Sequence, residues 1–325
     1  MKTIKWGILS TGTIAHNFAK TVRQMPDEME LYAVASRSAG SAEAFGEAYG
    51  IPKRYGSYEA LAADDQVDIV YVGTPHSRHY EDMKLLIGAG KHVLCEKSFT
   101  TDAAQADEIF RLAGEKGVFV MEGFWTKFIP VYRDVERILA EGTIGEVRMV
   151  TAQYGYTTGR QARKFDAQLA GGTLLDIGVY AIGFACMVLG YKFDSVLSQL
   201  VMNDAGTDAT DAVTLRSGSA IAQITCAIGA NMPTHAAIYG TLGHIDIPEF
   251  KNPERVTLAV DGRDPVVLSH PFEVNGFEYE IREAMDCVRA GRLQSERMSA
   301  GHSVDVMRIM DEVRRQNGLK FPFEA

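Results

Sequence analysis

The sequence predicts an α/β protein with an N-terminal doubly wound parallel sheet and a C-terminal α/β domain on a large, mostly antiparallel sheet. The chain has 325 residues, which is long for one core and suits two domains. Strand-like and helix-like stretches alternate in its first third, whereas strand-like stretches dominate after about residue 123. We therefore expect one domain over 1–122 and another over 123–325, with C-terminal helices that can pack back on the first.

The first domain shows the alternation of short apolar runs and helices that is typical of βαβ units. Such runs are buried on both faces of a parallel sheet. Thr101 or Asp102 can cap the helix that starts at residue 103, and Gly90 follows the helix that ends at Ala89. The expected strands are 4–9, 31–35, 67–72, 92–95 and 118–121, and the expected helices are about 14–24, 40–48, 78–89 and 102–115.

The second domain begins with an expected helix over 130–140 and continues with short strands. Their short connectors predict an antiparallel sheet. The apolar stretch 177–191 is shorter than the roughly 20 residues of a membrane span and predicts a buried helix. The strands are VRMVTAQY, SVLSQLVM, DAVTLRS, AIAQITCAI, AAIYGT and RVTLAV, followed by helices at about 278–290 and 302–315 and a final strand, LKFPFE.

Composition and charge exclude several classes of protein. A formal charge of −9 argues against a nucleic-acid or anionic-membrane surface. The four cysteines have no C-x-x-C spacing, which indicates reduced thiols and a cytoplasmic protein. The cysteines are Cys95, Cys186, Cys226 and Cys287.

His76 and His79 resemble a metal pair by spacing alone, so we expect no metal site and interpret both as contacts of a cofactor loop or as solvated side chains.

A tight loop between the first strand and the first helix, within WGILSTGTIAHNFA, resembles the dinucleotide-binding sequence G-x-G-x-x-G. Gly12 stands at the second glycine position, Ser10 at the first and Ala15 at the third. Small residues allow backbone N–H groups to approach a pyrophosphate, although a plain βα turn would also suit them. The expected cofactor contacts of this Rossmann loop are Ser10, Thr11, Gly12, Thr13 and Ile14.

The second strand ends in VASRS, without the acidic residue that binds the ribose hydroxyls of NAD. Ser36 offers a hydroxyl and Arg37 a guanidinium that suits a 2′-phosphate. A solvated surface arginine is the alternative. We expect NADP as the preferred cofactor, with NAD possible.

Polar residues follow two later strands, where ligands bind in a doubly wound sheet. They are Thr74, Pro75, His76 and His79 after one strand, and Glu96 and Lys97 after the next. Asp176 and Tyr180 are four residues apart and would share one helix face. Oxidation of an alcohol needs a base and a cation that lowers its pKa, which Tyr180, Asp176 and Lys97 can supply. These residues also have purely structural alternatives. Lys97 could form an ion pair with Glu96, Asp176 could make a hydrogen bond within its helix, and Tyr180 could occupy a core position.

Together, these segments resemble the Gfo/Idh/MocA oxidoreductase family, and within it the dimeric dihydrodiol dehydrogenase and sugar dehydrogenase branch. The resemblance implies a dinucleotide domain, then an open-faced substrate and oligomerisation domain whose sheet forms a homo-oligomer, expected to be a dimer. It rests on WGILSTGTIA, ASRS, TPHSRH, VLCEKS, FWTKFIP, GGTLLDIGVY and GFEYEI.

The resemblance also assigns roles by position. Lys97 would be the catalytic lysine of the family's E-K-P sequence, Tyr180 the acid–base residue and Asp176 its helix partner. Ser98 replaces the proline of that sequence, which leaves the placement of Lys97 to other contacts. The residues implied to line the substrate pocket are Trp125, Tyr154, Asp176 and Tyr279.

The expected function is NAD(P)-dependent hydride transfer to or from a secondary alcohol or carbonyl of a sugar, polyol or trans-dihydrodiol. One alternative is a ligand sensor without turnover, which would not need to retain Lys97, Asp176 and Tyr180 together. The other is an enzyme that uses the nicotinamide transiently, as in glycoside cleavage. Net reduction of the cofactor during turnover would distinguish a dehydrogenase from an enzyme of this second kind.

Overall fold

The computed structural model describes residues 3–157 and 162–324 and divides the chain into two compact units. The first unit comprises Met1–Gly123 and Glu273–Ser303, and the second comprises Phe124–Phe272 and Val304–Ala325. The first break lies one residue beyond the boundary drawn from the sequence. Residues 273–303 return to the first unit.

The first unit contains a six-stranded parallel sheet in the order β3-β2-β1-β4-β5-β6. This is the doubly wound order, and the sequence-based prediction of its fold class is confirmed. Its strands are β1 (Ile4–Leu9), β2 (Met29–Ala35), β3 (Lys53–Tyr55), β4 (Ile69–Val72), β5 (His92–Glu96) and β6 (Val120–Gly123).

Three helices of this sheet begin where a side chain caps them. The Asp102 carboxylate accepts a hydrogen bond from the Gln105 N–H, and Ser38 and Ser57 act in the same way. Strand β3 and the short helix α3 carry no strong apolar pattern and were not predicted. The helices are α1 (Thr13–Val22), α2 (Ala39–Tyr49), α3 (Tyr58–Ala62), α4 (His76–Gly88) and α5 (Ala103–Lys116).

The second unit contains an eight-stranded sheet in the order β14-β13-β12-β11-β7-β10-β9-β8. Its pairs are antiparallel except β7 with β10, which confirms the mostly antiparallel prediction. The strands are β7 (Val147–Tyr156), β8 (Ser195–Met202), β9 (Asp208–Ser217), β10 (Ala220–Ile228), β11 (Met232–Gly240), β12 (Gly243–Pro248), β13 (Arg255–Val260) and β14 (Val266–Ser269).

Helices cover one face of this sheet. Helix α6 (Val131–Ala140) follows a 3₁₀ turn at Trp125–Phe128, and α7 (Val179–Leu189) packs on β7 and β10. Alternate residues of β10 are buried and exposed, so its other face is open. Within the described residues one helical stretch, Ala167–Leu189, is long and apolar enough to cross a membrane, but 78% of its most apolar window is buried, as in a core helix.

The C-terminal segments include one error of the sequence-based prediction. Helices α8 (Phe277–Arg289) and α9 (Ala300–Asn317) form as expected. The final LKFPFE segment, however, is not a strand. The Phe321 N–H donates to the Glu324 carboxylate, and the Arg314 guanidinium lies 4.6 Å from the centre of the Phe321 ring. These local contacts hold the segment as a turn.

Candidate functional site

The loop between β1 and α1 has the open backbone that a phosphate needs. Ser10 has a φ of 118°, a value that glycine adopts without strain, and its hydroxyl accepts a hydrogen bond from the Gly12 N–H at 3.1 Å. Helix α1 begins after Gly12 without a side-chain cap. A Cβ on Gly12 would meet only the Ser10 hydroxyl, at 3.4 Å, within 4 Å. This loop therefore fits a dinucleotide pyrophosphate at a helix N-terminus.

The end of β2 lies beside this loop. The Thr11 hydroxyl donates to the Ser36 hydroxyl at 3.5 Å, which joins the two strand ends. Arg37 is exposed, and its guanidinium makes no hydrogen bond or ion pair within the described part of the chain. A cation in this position remains available to a ligand.

His79 lies beneath the rim rather than on it, which corrects the sequence-based expectation of a solvated or cofactor-contacting side chain. Its Nδ1 lies 2.8 Å from the Ser98 carbonyl oxygen and its Nε2 lies 2.9 Å from that of Thr74. Burial lowers the pKa of His79 to about 4, so the ring is neutral at neutral pH. A neutral imidazole has one N–H, so His79 donates to one of these two carbonyl oxygens while it packs between the end of β4 and the segment after β5, where the Lys97–Ser98 peptide bond is cis. Pro75 and His76 begin helix α4 beside it.

Glu96 points into a buried cluster of three glutamates, which we call the carboxyl cluster: Glu96, Glu122 and Glu280. The Tyr71 hydroxyl donates to Glu96 at 2.5 Å. Burial raises the pKa of Glu122 to about 7 and that of Glu280 well above its usual range. Neither carboxyl oxygen of Glu280 has a hydrogen-bond partner in the described residues. Glu96 is therefore part of a buried support under the segment that carries Lys97, and not a surface contact.

In the second unit, Gly172 fixes the segment that carries Asp176. Gly172 has a φ of 122°, and a Cβ there would lie 2.1 Å from Asp208 Oδ1. This close approach lets the other Asp208 oxygen accept a hydrogen bond from the Leu174 N–H at 2.5 Å. Residues Leu174–Gly178 then form a π-helical turn, not the α-helix that the spacing predicted. Such turns are common at functional sites because they redirect side chains.

Asp176 is a buried carboxylate with several partners. The Tyr156 hydroxyl donates to its Oδ2 at 2.8 Å. The charged groups of Lys164 and Arg163 each lie 3.6 Å from it, and the Lys164 ammonium also donates to the Tyr156 hydroxyl. Asp176 is therefore held as an anion within a network of cations and a phenol.

Tyr180 lies on α7 in an aromatic group. Its ring centre is 5.8 Å from that of Phe124 and 6.5 Å from that of Tyr154. Gly183, one turn along, permits this packing because a Cβ there would lie 2.4 Å from the Phe124 ring. Burial, followed by the charge of Asp176, raises the pKa of Tyr154 to about 12 and that of Tyr156 further. These two phenols keep their protons at neutral pH.

The remaining predicted residues divide between the units. Trp125 begins the 3₁₀ turn at Trp125–Phe128. It belongs to the second unit, as do Tyr154, Asp176 and Tyr180. Tyr279 belongs to the first unit, where its hydroxyl accepts from the Glu273 N–H at 3.2 Å.

Sequence reasoning missed several buried acids. Glu122 follows an apolar strand as Glu96 does, and this parallel was an available signal. Asp208 and Asp211 lie inside the second unit, and burial raises the pKa of both. Their burial depends on the packing of β9 against the π-helical turn, for which the sequence gives no local signal.

A surface groove also lies in the first unit, lined by residues such as Ile4, Asp68 and His92. These residues begin β1, precede β4 and begin β5. The groove is therefore at the amino ends of the strands, opposite the ends that bind ligands in this fold. Within residues 3–157 and 162–324, no group of three His, Cys, Asp or Glu side chains is arranged to hold a metal ion.

Comparison with known proteins agrees with this geometry. The model of the "Oxidoreductase family, NAD-binding Rossmann fold" matches residues 4–124 and that of the "GFO/IDH/MocA C-terminal domain" matches 132–246. The protein is therefore an NAD(P)-binding oxidoreductase whose dinucleotide-binding domain lies within residues 4–124. The chain belongs to the Gfo/Idh/MocA family.

Its relatives cover nearly the whole chain. Proteins named trans-1,2-dihydrobenzene-1,2-diol dehydrogenase are 37% identical over 328 residues in Danio rerio and 34% over 327 in Mus musculus, each alignment covering 98% of both chains. A 3-ketoreductase from Actinomadura kijaniata, solved with NADP and TDP-benzene, is 29% identical with a TM-score of 0.87, covering 97% of this chain and 98% of that one. An aldose-aldose oxidoreductase from Caulobacter crescentus shares the fold, at 23% identity and a TM-score of 0.88, over 97% of each chain.

Proposed function

We propose that this protein transfers a hydride between NADP and a secondary alcohol or carbonyl of a sugar, polyol or trans-dihydrodiol. The observation that carries the proposal is the half-buried Tyr180 on α7, the helix that directly follows the turn holding the fixed carboxylate of Asp176, in a chain whose other unit supplies Lys97 after β5. The relatives named as dihydrodiol dehydrogenases and the 3-ketoreductase support this class of substrate.

Tyr180 is the proposed acid–base residue. It takes the hydroxyl proton in oxidation and returns it in reduction. Tyr154 and Tyr156 are poor candidates because burial raises their pKa values far above neutral pH. Nicotinamide, when bound, accepts or supplies the hydride.

Lys97 and Asp176 assist this proton transfer. An ammonium near a phenol favours the phenolate, because an opposite charge stabilises the ionised form. We assign that role to Lys97. Asp176 orients the substrate, and its ion pairs with Lys164 and Arg163 keep it ionised. Trp125, Tyr154 and Tyr279 are the proposed lining of the substrate pocket.

The proposed preference for NADP rests on the end of β2. Arg37 is exposed there without an internal partner, and Ser36 beside it offers a hydroxyl in place of a carboxylate. A free guanidinium suits the 2′-phosphate that distinguishes NADP from NAD.

A screen of sugars, polyols and diols, followed by nicotinamide absorbance, tests the proposal. A dehydrogenase reduces one NADP for each alcohol that it oxidises. Product formation without net cofactor reduction would indicate transient use of the nicotinamide. Cofactor and ligand binding without any product would indicate a sensor.

We propose further that the protein is a homodimer that pairs through the open face of its second sheet. The strand register places Leu197, Ile221, Tyr239 and Val267 on this face, and they are between 40% and 64% exposed. Several exposed apolar side chains on one face are typical of an interface. Light scattering tests this, since a monomer at micromolar concentration would contradict it. The four buried, unpaired cysteines support a reducing, cytoplasmic location.

A further inference from the structure

Lys251 lies on a fixed turn between β12 and β13 and was not singled out by the sequence. The Thr126 hydroxyl donates to its carbonyl oxygen at 2.6 Å, and the Tyr132 hydroxyl donates to that of Phe250. Glu249, at the start of the turn, has a φ of 51°, and its carbonyl accepts from the Asn252 N–H at 2.8 Å. These hydrogen bonds hold the backbone, so the position of the lysine is determined in advance.

The ammonium group of Lys251 has few internal partners. Its Nζ donates to the Tyr154 hydroxyl at 3.3 Å and lies 5.0 Å from the centre of that ring. No carboxylate of the described residues lies within ion-pair distance of it. The side chain is about half-buried, and this burial lowers its pKa, while the nearest acid, the exposed Glu249, opposes the shift. A desolvated cation without an anion is costly, and a ligand anion would offset that cost.

The neighbours of Lys251 connect it to the proposed acid–base residue. Tyr154 is a common neighbour of Lys251 and Tyr180, with its ring centre 5.0 Å from the Lys251 Nζ and 6.5 Å from the centre of the Tyr180 ring. The nearby Asp176 already has Lys164 and Arg163 as partners. The charge of Lys251 is therefore not needed inside the protein to balance Asp176.

The geometry points to a substrate that carries an anionic group: Lys251 binds a carboxylate or a phosphate of the molecule whose alcohol or carbonyl meets Tyr180. This inference deepens the proposed function and rests on it. It distinguishes the substrate from a neutral dihydrodiol. A single aromatic ring separates the two side chains, so the substrate is compact, as sugar acids and sugar phosphates are.

A series of three probes tests the inference: glucose, glucuronate and glucose 6-phosphate. They share a pyranose ring and differ at one end by a hydroxymethyl, a carboxylate or a phosphate. Isothermal titration of the NADP-saturated protein measures each affinity. We expect at least one anion to bind about tenfold or more tightly than glucose, since a charge-assisted contact is worth about that factor. The anion that binds more tightly shows whether the charged group of the substrate is a carboxylate or a phosphate.

Variants of Lys251 complete the experiment. Lys251→Met should remove the preference for the anion and leave glucose binding within about twofold, while Lys251→Arg should keep it. Lys192→Met is the matched control, because Lys192 pairs with Asp305 on the surface of the same unit. Both anions binding no more tightly than glucose, or a preference that survives in Lys251→Met, would overturn the inference. Binding needs no turnover, so loss of hydride transfer would refute the proposed function alone.

Discussion

The two units support their proposed functional side chains by opposite electrostatic means. In the first unit, the segment that carries Lys97 follows a strand that ends in the buried carboxyl cluster. Burial raises the pKa values of Glu122 and Glu280 there. In the second unit, Asp176 has two cations and a phenol as partners and stays ionised.

The difference shows that surroundings, rather than residue type, decide which acid carries a charge. Asp176 and Glu280 are both buried carboxyls, but only Asp176 has hydrogen-bond donors in reach. A carboxyl without donors holds its proton, so Glu280 contributes no charge that would attract the Lys97 ammonium. The carboxyl cluster of the first unit and the Asp176 carboxylate of the second unit therefore differ in charge because their surroundings differ.

The largest expected effect separates the tyrosines of the second unit. Tyr180→Phe should lower turnover by roughly 10²–10⁴-fold, the usual contribution of a positioned acid–base group. Tyr239→Phe is the matched control and should leave turnover almost unchanged, because Tyr239 is exposed on the open face of the second sheet. Steady-state rates at saturating cofactor measure both. Near-full turnover in Tyr180→Phe would place the base elsewhere.

The next effect tests the carboxyl cluster of the first unit. The pKa of Glu122 is about 7 in the folded chain against an ordinary 4.5, so the folded state keeps a proton that the unfolded state loses. Stability should therefore fall as pH rises through this interval, by about 3 kcal/mol at most. Glu122→Gln should remove most of that loss, so that the variant is more stable than the native protein at pH 8.

Urea unfolding at pH 5 and at pH 8 measures the difference in stability. Glu115→Gln is the control, because Glu115 is exposed on α5 and pairs only with Arg111. An unchanged pH dependence in Glu122→Gln would show that Glu122 titrates normally in the folded protein.

The smallest effect concerns the cofactor. Arg37→Ala should weaken NADP binding by about tenfold or more and leave NAD binding almost unchanged, because only NADP has a 2′-phosphate. Arg23→Ala, at the far end of α1, should change neither affinity. Fluorescence titration with both cofactors decides the matter, since equal losses would mean that Arg37 does not contact the phosphate.

The sequence predicted the parts of the fold that have local signals. The apolar run of β4 and the Asp102 cap of α5 each depend on a few adjacent residues, and both form as expected. Strand β3 has three residues, one exposed and two half-buried, so its pattern is too short to detect. The LKFPFE segment looks like a strand, but no sheet edge pairs with it.

The predictions for the site divide in the same way, into residues that have a local sequence signal and residues that do not. Ser36 and Arg37 were predicted as cofactor contacts because they come directly after a strand, where this fold binds cofactors, and this stays a prediction. The π-helical turn at Asp176 was not, because it depends on Asp208, which approaches Gly172 from a distant strand. The same is true of Lys251, whose partner Tyr154 is 97 residues away. Long-range contacts of this kind leave no periodic signal.

A double-mutant cycle tests the proposal that Lys97 and Tyr180, which belong to different units, act together on one proton. The cycle comprises Lys97→Met, Tyr180→Phe and the double variant, with turnover and NADP affinity measured separately. Residues that act as a unit lose little more together than singly. We predict that the double variant has about the turnover of the worse single variant while NADP affinity survives in Tyr180→Phe. Fully additive losses would contradict the account, because each residue would then contribute independently.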